Sequence, residues 1–173
     1  MPGVEQFTDR KDTSSGFEVY LREQPILLKG VVTKGFGRGG KMLGCPTANI
    51  PVDPYLEVLS EIPGGIYFGW AALPDCDAAP KGDICKMVMS IGWNPYFENK
   101  RKSIEPHLIK TLPDFYDVEL RLVVGGFIRL EQNFESLELL VEAIQNDIKV
   151  ASDALELDGM SSLQTHDYLE FSS

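Results

Sequence analysis

The stretch Gly35-Phe36-Gly37-Arg38-Gly39-Gly40-Lys41-Met42-Leu43-Gly44-Cys45-Pro46-Thr47-Ala48-Asn49-Ile50-Pro51 holds the residues best suited to chemistry. Five glycines fall within ten positions, with Arg38 and Lys41 among them. Glycine permits close backbone approaches. A run of free backbone N–H groups beside two cations can wrap an oligophosphate. If residues 47–50 are extended, Thr47 and Asn49 point to one face. That sets a hydroxyl and an amide oxygen side by side, the ligand type that hard cations such as Mg²⁺ take next to substrate phosphates.

Two familiar phosphate motifs fit the glycines only on paper. Gly35, Gly37 and Gly40 have the dinucleotide spacing, and Gly35 with Gly40-Lys41 approaches a P-loop. Both motifs need a helix directly after the glycines, whereas Pro46 interrupts within six residues of Gly40. The P-loop also needs Ser or Thr after its lysine, and Met42 stands there. No strand–helix alternation for a parallel sheet is visible. The absence of His-Arg-Asp and Asp-Phe-Gly elements excludes a protein-kinase fold. A plain flexible hairpin stays open as the other reading of the glycines alone.

Other candidates are scattered. Trp70, Trp93, Tyr96 and Phe97 have faces for stacking on a planar ring, although filling the core is the better use of Trp70. The 93–102 loop suits a second lid that would close against the glycine run and exclude water. His107 is either a base or a structural strand histidine. His166 reads as surface, and Thr47 and Asn49 have an ordinary capped turn as their other reading.

The chain has 173 residues and is 43% hydrophobic, enough for one core. A net charge of −10 argues against a nucleic-acid binder. Five of the acids (Asp153, Glu156, Asp158, Asp167, Glu170) follow the last lysine, Lys149. The rest keeps basic clusters at Lys34/Arg38/Lys41 and Lys100-Arg101-Lys102, where a small anion can bind. No run is long and apolar enough for a membrane span, and no secretory h-region leads the chain. Cys45, Cys76 and Cys85 lack metal-ligand spacing and read as free thiols in a reducing, cytoplasmic setting.

The elements that must position these groups are mostly strands. Residues 1–24 read as an arm, with alternation at Phe17, Val19 and Leu21 and Pro25 closing it. Strands are expected over 26–34, 65–73, 85–92, 103–112 and 116–128. Pro106 assigns its strand to an edge or a bulge, and Gly125-Gly126 is a bend. Leu137, Leu140, Val141, Ile144, Ile148, Ala151 and Leu155 form one helical stripe. Ser136 or Asn133 would cap it, and Gly159 would end it. This stripe is assigned packing and no chemistry. The divisions are an arm (1–24), a body (25–158) and an acidic tail (159–173), disordered or packed. Short strands with one covering helix imply a mainly β, closed antiparallel barrel.

Over about 26–150, the chain resembles the riboflavin kinase (flavokinase) family, in its monofunctional, eukaryotic type. The resemblance rests on the glycine run through Asn49, on Gly65-Ile66-Tyr67-Phe68-Gly69-Trp70-Ala71, Ser90-Ile91-Gly92-Trp93-Asn94-Pro95-Tyr96 and Ser103-Ile104-Glu105-Pro106-His107, and on Arg129 to Asn133 ahead of Phe134-Glu135-Ser136-Leu137. It implies a closed six-stranded Greek-key barrel with a C-terminal helix, a monomer turning riboflavin and ATP into FMN and ADP. Mg²⁺ is the implied ion, with Zn²⁺ or Mn²⁺ as alternatives, and no nucleic acid or membrane is involved. By resemblance, Glu105 is the catalytic base and Thr47 and Asn49 hold the metal. Gly35, Lys41, Thr47, Leu108, Lys110 and Tyr116 contact the nucleotide, while Arg129, Gln132 and Phe134 contact the flavin. Relatives often carry a basic residue at Gln132 and His at Lys110. The metal perch is then expected to face Glu105 across the barrel. From spacing alone, Glu105 would be a solvated acid beside Arg101 or Lys102. A non-catalytic flavin module and a generic NTPase are the competing functions.

Overall fold

The structure is a computed structural model that describes residues 7–34, 43–93 and 101–171. Six antiparallel strands form one sheet: β1 (Arg10–Asp12), β2 (Val19–Val31), β3 (Gly65–Leu73), β4 (Asp83–Trp93), β5 (Lys102–Leu108) and β6 (Glu119–Leu130). Their spatial order is β1-β2-β6-β3-β4-β5. A short helix, α1 (Leu56–Glu61), precedes β3, and the long helix α2 (Leu137–Ala154) follows β6.

The six strands and the C-terminal helix are as expected, but the closed barrel is not. The sheet is open, with β1 and β5 as its two edges. Among the described residues, single bridges, Thr33↔Asn49 and Ile50↔Ile104, tie segment 48–50 to the chain just past β2 and to β5. Pro106 supplies one reason. Ala48 donates to the Pro106 carbonyl at 2.8 Å, but Pro106 has no N–H to return, so no continuous ladder forms on this edge. The edge placement of Pro106 follows the expectation.

The strand expected from residue 26 begins at Val19 and runs through Pro25. The β2–β6 register shifts between Leu21 and Ile26, and such an irregularity accommodates a proline inside a strand. Likewise, Gly125 is skipped where Phe68 pairs with Gly126 and Gly69 with Val124.

Alternation divides the side chains between two clusters. One face buries Tyr67, Met87, Met89, Ile91, Ile104, Leu120, Leu122 and Phe127. The other buries Phe68, Trp70, Val88 and Val123 under Val150, Ala151 and Ala154 of α2 and the Leu155 that follows it, so Trp70 is core. Phe7 joins the first cluster, its ring edge-on to Tyr67 at 5.5 Å, with the Arg22 guanidinium 4.4 Å from the Phe7 ring centre. The C-terminal segment is packed as well. The Trp70 indole donates to the Met160 carbonyl at 2.9 Å, and Leu169 is 1% exposed.

Ser136 caps α2, its hydroxyl accepting from the Leu139 N–H at 3.2 Å. Ser136→Ala should cost about 1 kcal/mol, the usual scale for an N-cap. Urea denaturation would read this as a lower midpoint at unchanged slope.

Candidate active site

The site is built on the face of the sheet that carries α2. In β5, Ile104, Pro106 and Leu108 are buried, while Ser103, Glu105 and His107 are half-exposed on the opposite face. Segment 47–50 runs antiparallel beside them. Ile50 pairs with Ile104, and Ala48 donates to Pro106. Continuing that register sets Asn49 opposite Glu105 and Thr47 opposite His107. Directly opposed side chains share a face. The two oxygen donors and the carboxylate are therefore neighbours on one face, rather than facing one another across a barrel. Gly30 permits this crossing: a Cβ there would meet Pro51 Cδ at 2.9 Å and Ile50 Cβ at 3.2 Å.

A single row of paired residues leads away from Glu105. Glu105 pairs with Ser90, Ser90 with Ile66, and Ile66 with Arg129. Three strand spacings separate the ends, roughly 14 Å. The Ser103 hydroxyl donates to Glu105 Oε1 at 2.7 Å and orients it. Neither basic neighbour suggested by spacing serves Glu105 in this way. Lys102 Nζ donates to the carbonyls of Leu59 and Ile62 at 2.7 and 2.6 Å, and Arg101 lies 3.2 Å from Asp53.

At the far end, Arg129 forks onto Asp147 of α2. Its Nε donates to Oδ1 at 2.9 Å and its Nη2 to Oδ2 at 2.7 Å. Asp147 is 3% exposed. The guanidinium lies 5.6 Å from the Phe134 ring centre. Phe134 also borders a depression along α2 with Leu139, Ala143 and Lys149. Gln132 is exposed. Burial, and then the Asp147 carboxylate, pushes the Cys45 thiol up to about 11, so Cys45 is a neutral packing group near this ion pair.

The remaining expected residues are spread out. Tyr116 is exposed, with Lys34 Nζ 5.5 Å from its ring centre. The Val32 N–H donates to Val118 and the Asp117 N–H to Val32, which sets Tyr116 beside the entry to the glycine run. The Leu108 side chain is buried in the first cluster, and its carbonyl accepts from the Lys110 N–H at 2.8 Å. Lys110 is paired with Asp83. Gly35, Arg38, Lys41, Tyr96, Phe97 and Lys100 lie outside the described residues. Among the described residues, no cluster of three His, Cys, Asp or Glu side chains has metal-binding geometry. An uncharged hydroxyl and amide suit an oxygen-loving cation that arrives with a polyphosphate better than a resident transition metal.

Sequence reasoning assigned no role to Asp147 or to Glu131. A Cβ at Gly92 would lie 2.2 Å from Glu131 Oε1, and one at Gly64 2.5 Å from Oε2. The carboxylate thus rests over two bare backbone positions beside the Arg129–Glu105 row. Burial raises its pKa above 4.5, with Lys102 and the Trp93 N–H opposing. The folded state then holds this proton more tightly than the unfolded chain. Its stabilising contribution is present at acid pH and is lost as pH rises through the folded value above 4.5. Melting temperatures should show wild type losing stability relative to Glu131→Gln across that window.

The family model described as "Flavokinase: Riboflavin kinase" matches residues 22–155. The chain is 50% identical over 146 residues to the bifunctional riboflavin kinase/FMN phosphatase of Arabidopsis thaliana, covering 84% of this chain and 37% of that protein. It is 42% identical over 153 residues to the riboflavin kinase of Homo sapiens, covering 88% of this chain and 95% of that one. The crystal structure of riboflavin kinase from Trypanosoma brucei matches with a TM-score of 0.69 at 27% identity, covering 87% of this chain and 92% of that one. An extended oxygen-bearing segment beside a strand carboxylate, with a family model spanning both, leaves one assignment: the chain belongs to the riboflavin kinase family.

Proposed function

We propose that this chain transfers the γ-phosphate of ATP to the 5′-hydroxyl of riboflavin, giving FMN and ADP. The observation that carries the reading is the row Arg129–Ile66–Ser90–Glu105 on one face of the sheet, with Asn49 next to Glu105. In the proposal, this row supports a planar-ring end at Arg129, a path for the ribityl chain and a phosphate end at Glu105.

In this reading, the ribityl oxygen attacks the γ-phosphorus. An O–P bond forms, the bond to the β,γ-bridging oxygen breaks, and its electron pair leaves with ADP. Glu105 accepts the hydroxyl proton. Thr47 and Asn49 hold the divalent ion that accompanies ATP, Mg²⁺ first and Zn²⁺ or Mn²⁺ as alternatives. When bound, the ion neutralises charge developing on the phosphates. Gly35 and Lys41 belong to the loop assigned to the phosphates, and Tyr116 and the Leu108 backbone to the nucleotide. Lys110 reaches the nucleotide only by leaving Asp83. Arg129 and Phe134 form the flavin end, with Gln132 at its rim. The chain acts as a monomer in the cytoplasm, in keeping with free thiols at Cys45, Cys76 and Cys85.

Incubation with Mg-ATP and riboflavin, followed by chromatography, should show FMN and ADP appearing in equal amounts. Riboflavin binding without turnover would leave only a flavin carrier. ATP hydrolysis independent of riboflavin would leave a generic NTPase.

A further inference from the structure

We propose that His107 is a positioning residue for the reaction, holding Thr47 in place through the Pro46 carbonyl; this rests on the kinase reading above. His107 Nδ1 lies 2.7 Å from the Pro46 oxygen, between residues 61 positions apart in sequence. A carbonyl oxygen has no proton to give, so Nδ1 carries the hydrogen and donates.

The backbone around Thr47 is short of cross-links. Pro46 has no N–H, and neither does Pro106 on the facing strand. The ladder between 46–50 and β5 therefore loses a bond on each side of Thr47. Two contacts replace it. Ala48 N–H donates to Pro106 O at 2.8 Å on one side, and the His107 side chain holds Pro46 O on the other.

The proline ring fixes φ of Pro46. The His107 bond fixes the direction of its carbonyl, hence its ψ. The planar peptide then places the nitrogen and Cα of Thr47. Thr47 is thus suspended between two anchors on the residues that follow Glu105 in β5. The same strand that carries the carboxylate sets the hydroxyl beside it. His107 orients the metal- and phosphate-binding side of the site and takes no proton from substrate.

The test compares wild type, His107→Ala and His107→Asn in Mg-ATP binding by calorimetry and in FMN formation. An asparagine amide presents an N–H close to the Nδ1 position; alanine presents none. His107→Ala should weaken Mg-ATP binding and raise KM for Mg-ATP about tenfold, the scale of one lost hydrogen bond. KM for riboflavin should stay within about twofold. His107→Asn should recover most of the loss. Equal Mg-ATP affinity in all three proteins overturns the inference. So does a collapse of kcat in both variants at unchanged KM, which would make the imidazole itself the proton acceptor. If His107→Ala does not fold, the Asn variant decides: an Mg-ATP affinity near wild type supports the anchor, and a tenfold loss in a folded Asn protein refutes it. Calorimetry needs no turnover, so failure of wild type to make FMN would sink the kinase reading separately.

Discussion

Glu105→Gln should lower kcat for FMN formation by about 10²-fold or more, the usual scale for losing a general base, while KM for Mg-ATP and for riboflavin moves little. The substitution keeps the side chain's shape. The Ser103 hydroxyl, which donates to Oε1 at 2.7 Å, can still donate to the amide oxygen. The backbone pairing of Glu105 with Ser90 does not involve the carboxylate, so the strand is undisturbed. What is lost is the ability to accept a proton. Phosphoryl transfer runs through a loose transition state in which positioning and charge neutralisation supply most of the rate. The loss should accordingly stop well short of abolishing activity. A kcat within threefold of wild type would remove Glu105 from its role and leave the carboxylate as an orienting group. Steady-state kinetics with both substrates varied distinguishes these outcomes.

Much of the fold was legible because its signals are local. Composition and alternation marked most of the strands, and the stripe and cap signals placed the start of α2 after Ser136, although the helix ends at Ala154 and not at the expected Gly159. Closure was not legible. Whether the sheet closes depends on which backbone donors remain between segment 46–50 and β5, and Pro46 and Pro106 removed donors on both sides. Pro25 was read as a stop because a proline's local effect is to end a strand; the register shift that absorbs it is set by pairing with β6. The site divided the same way. Thr47 and Asn49 on one side of an extended segment follow from period two alone. Their position beside Glu105 depends on a long-range register that no local pattern encodes. Asp147 was hidden for a different reason. It lies among the apolar positions of α2 and looks like a solvated helix residue until its partner on β6 is known.

That hidden carboxylate gives the second large effect. Arg129→Met should cost roughly 3–5 kcal/mol, the scale for removing one partner of a buried ion pair. Asp147, 3% exposed, would then keep a charge with neither water nor guanidinium to satisfy it. The bidentate geometry, with bonds of 2.9 and 2.7 Å, also makes Arg129→Lys a poor rescue, since an ammonium cannot reproduce the planar fork. The double variant Arg129→Met/Asp147→Leu separates folding from function. With both charges gone, no buried charge is left unpaired, and stability should return to near wild type. Riboflavin affinity should not return with it, because the guanidinium beside Phe134 is still missing from the flavin end. Denaturant melts alongside fluorescence titration with riboflavin read the two quantities independently. If the double variant regains both, Arg129 serves the helix alone, and the flavin end must be built from Phe134, Gln132 and the Glu131 carboxylate.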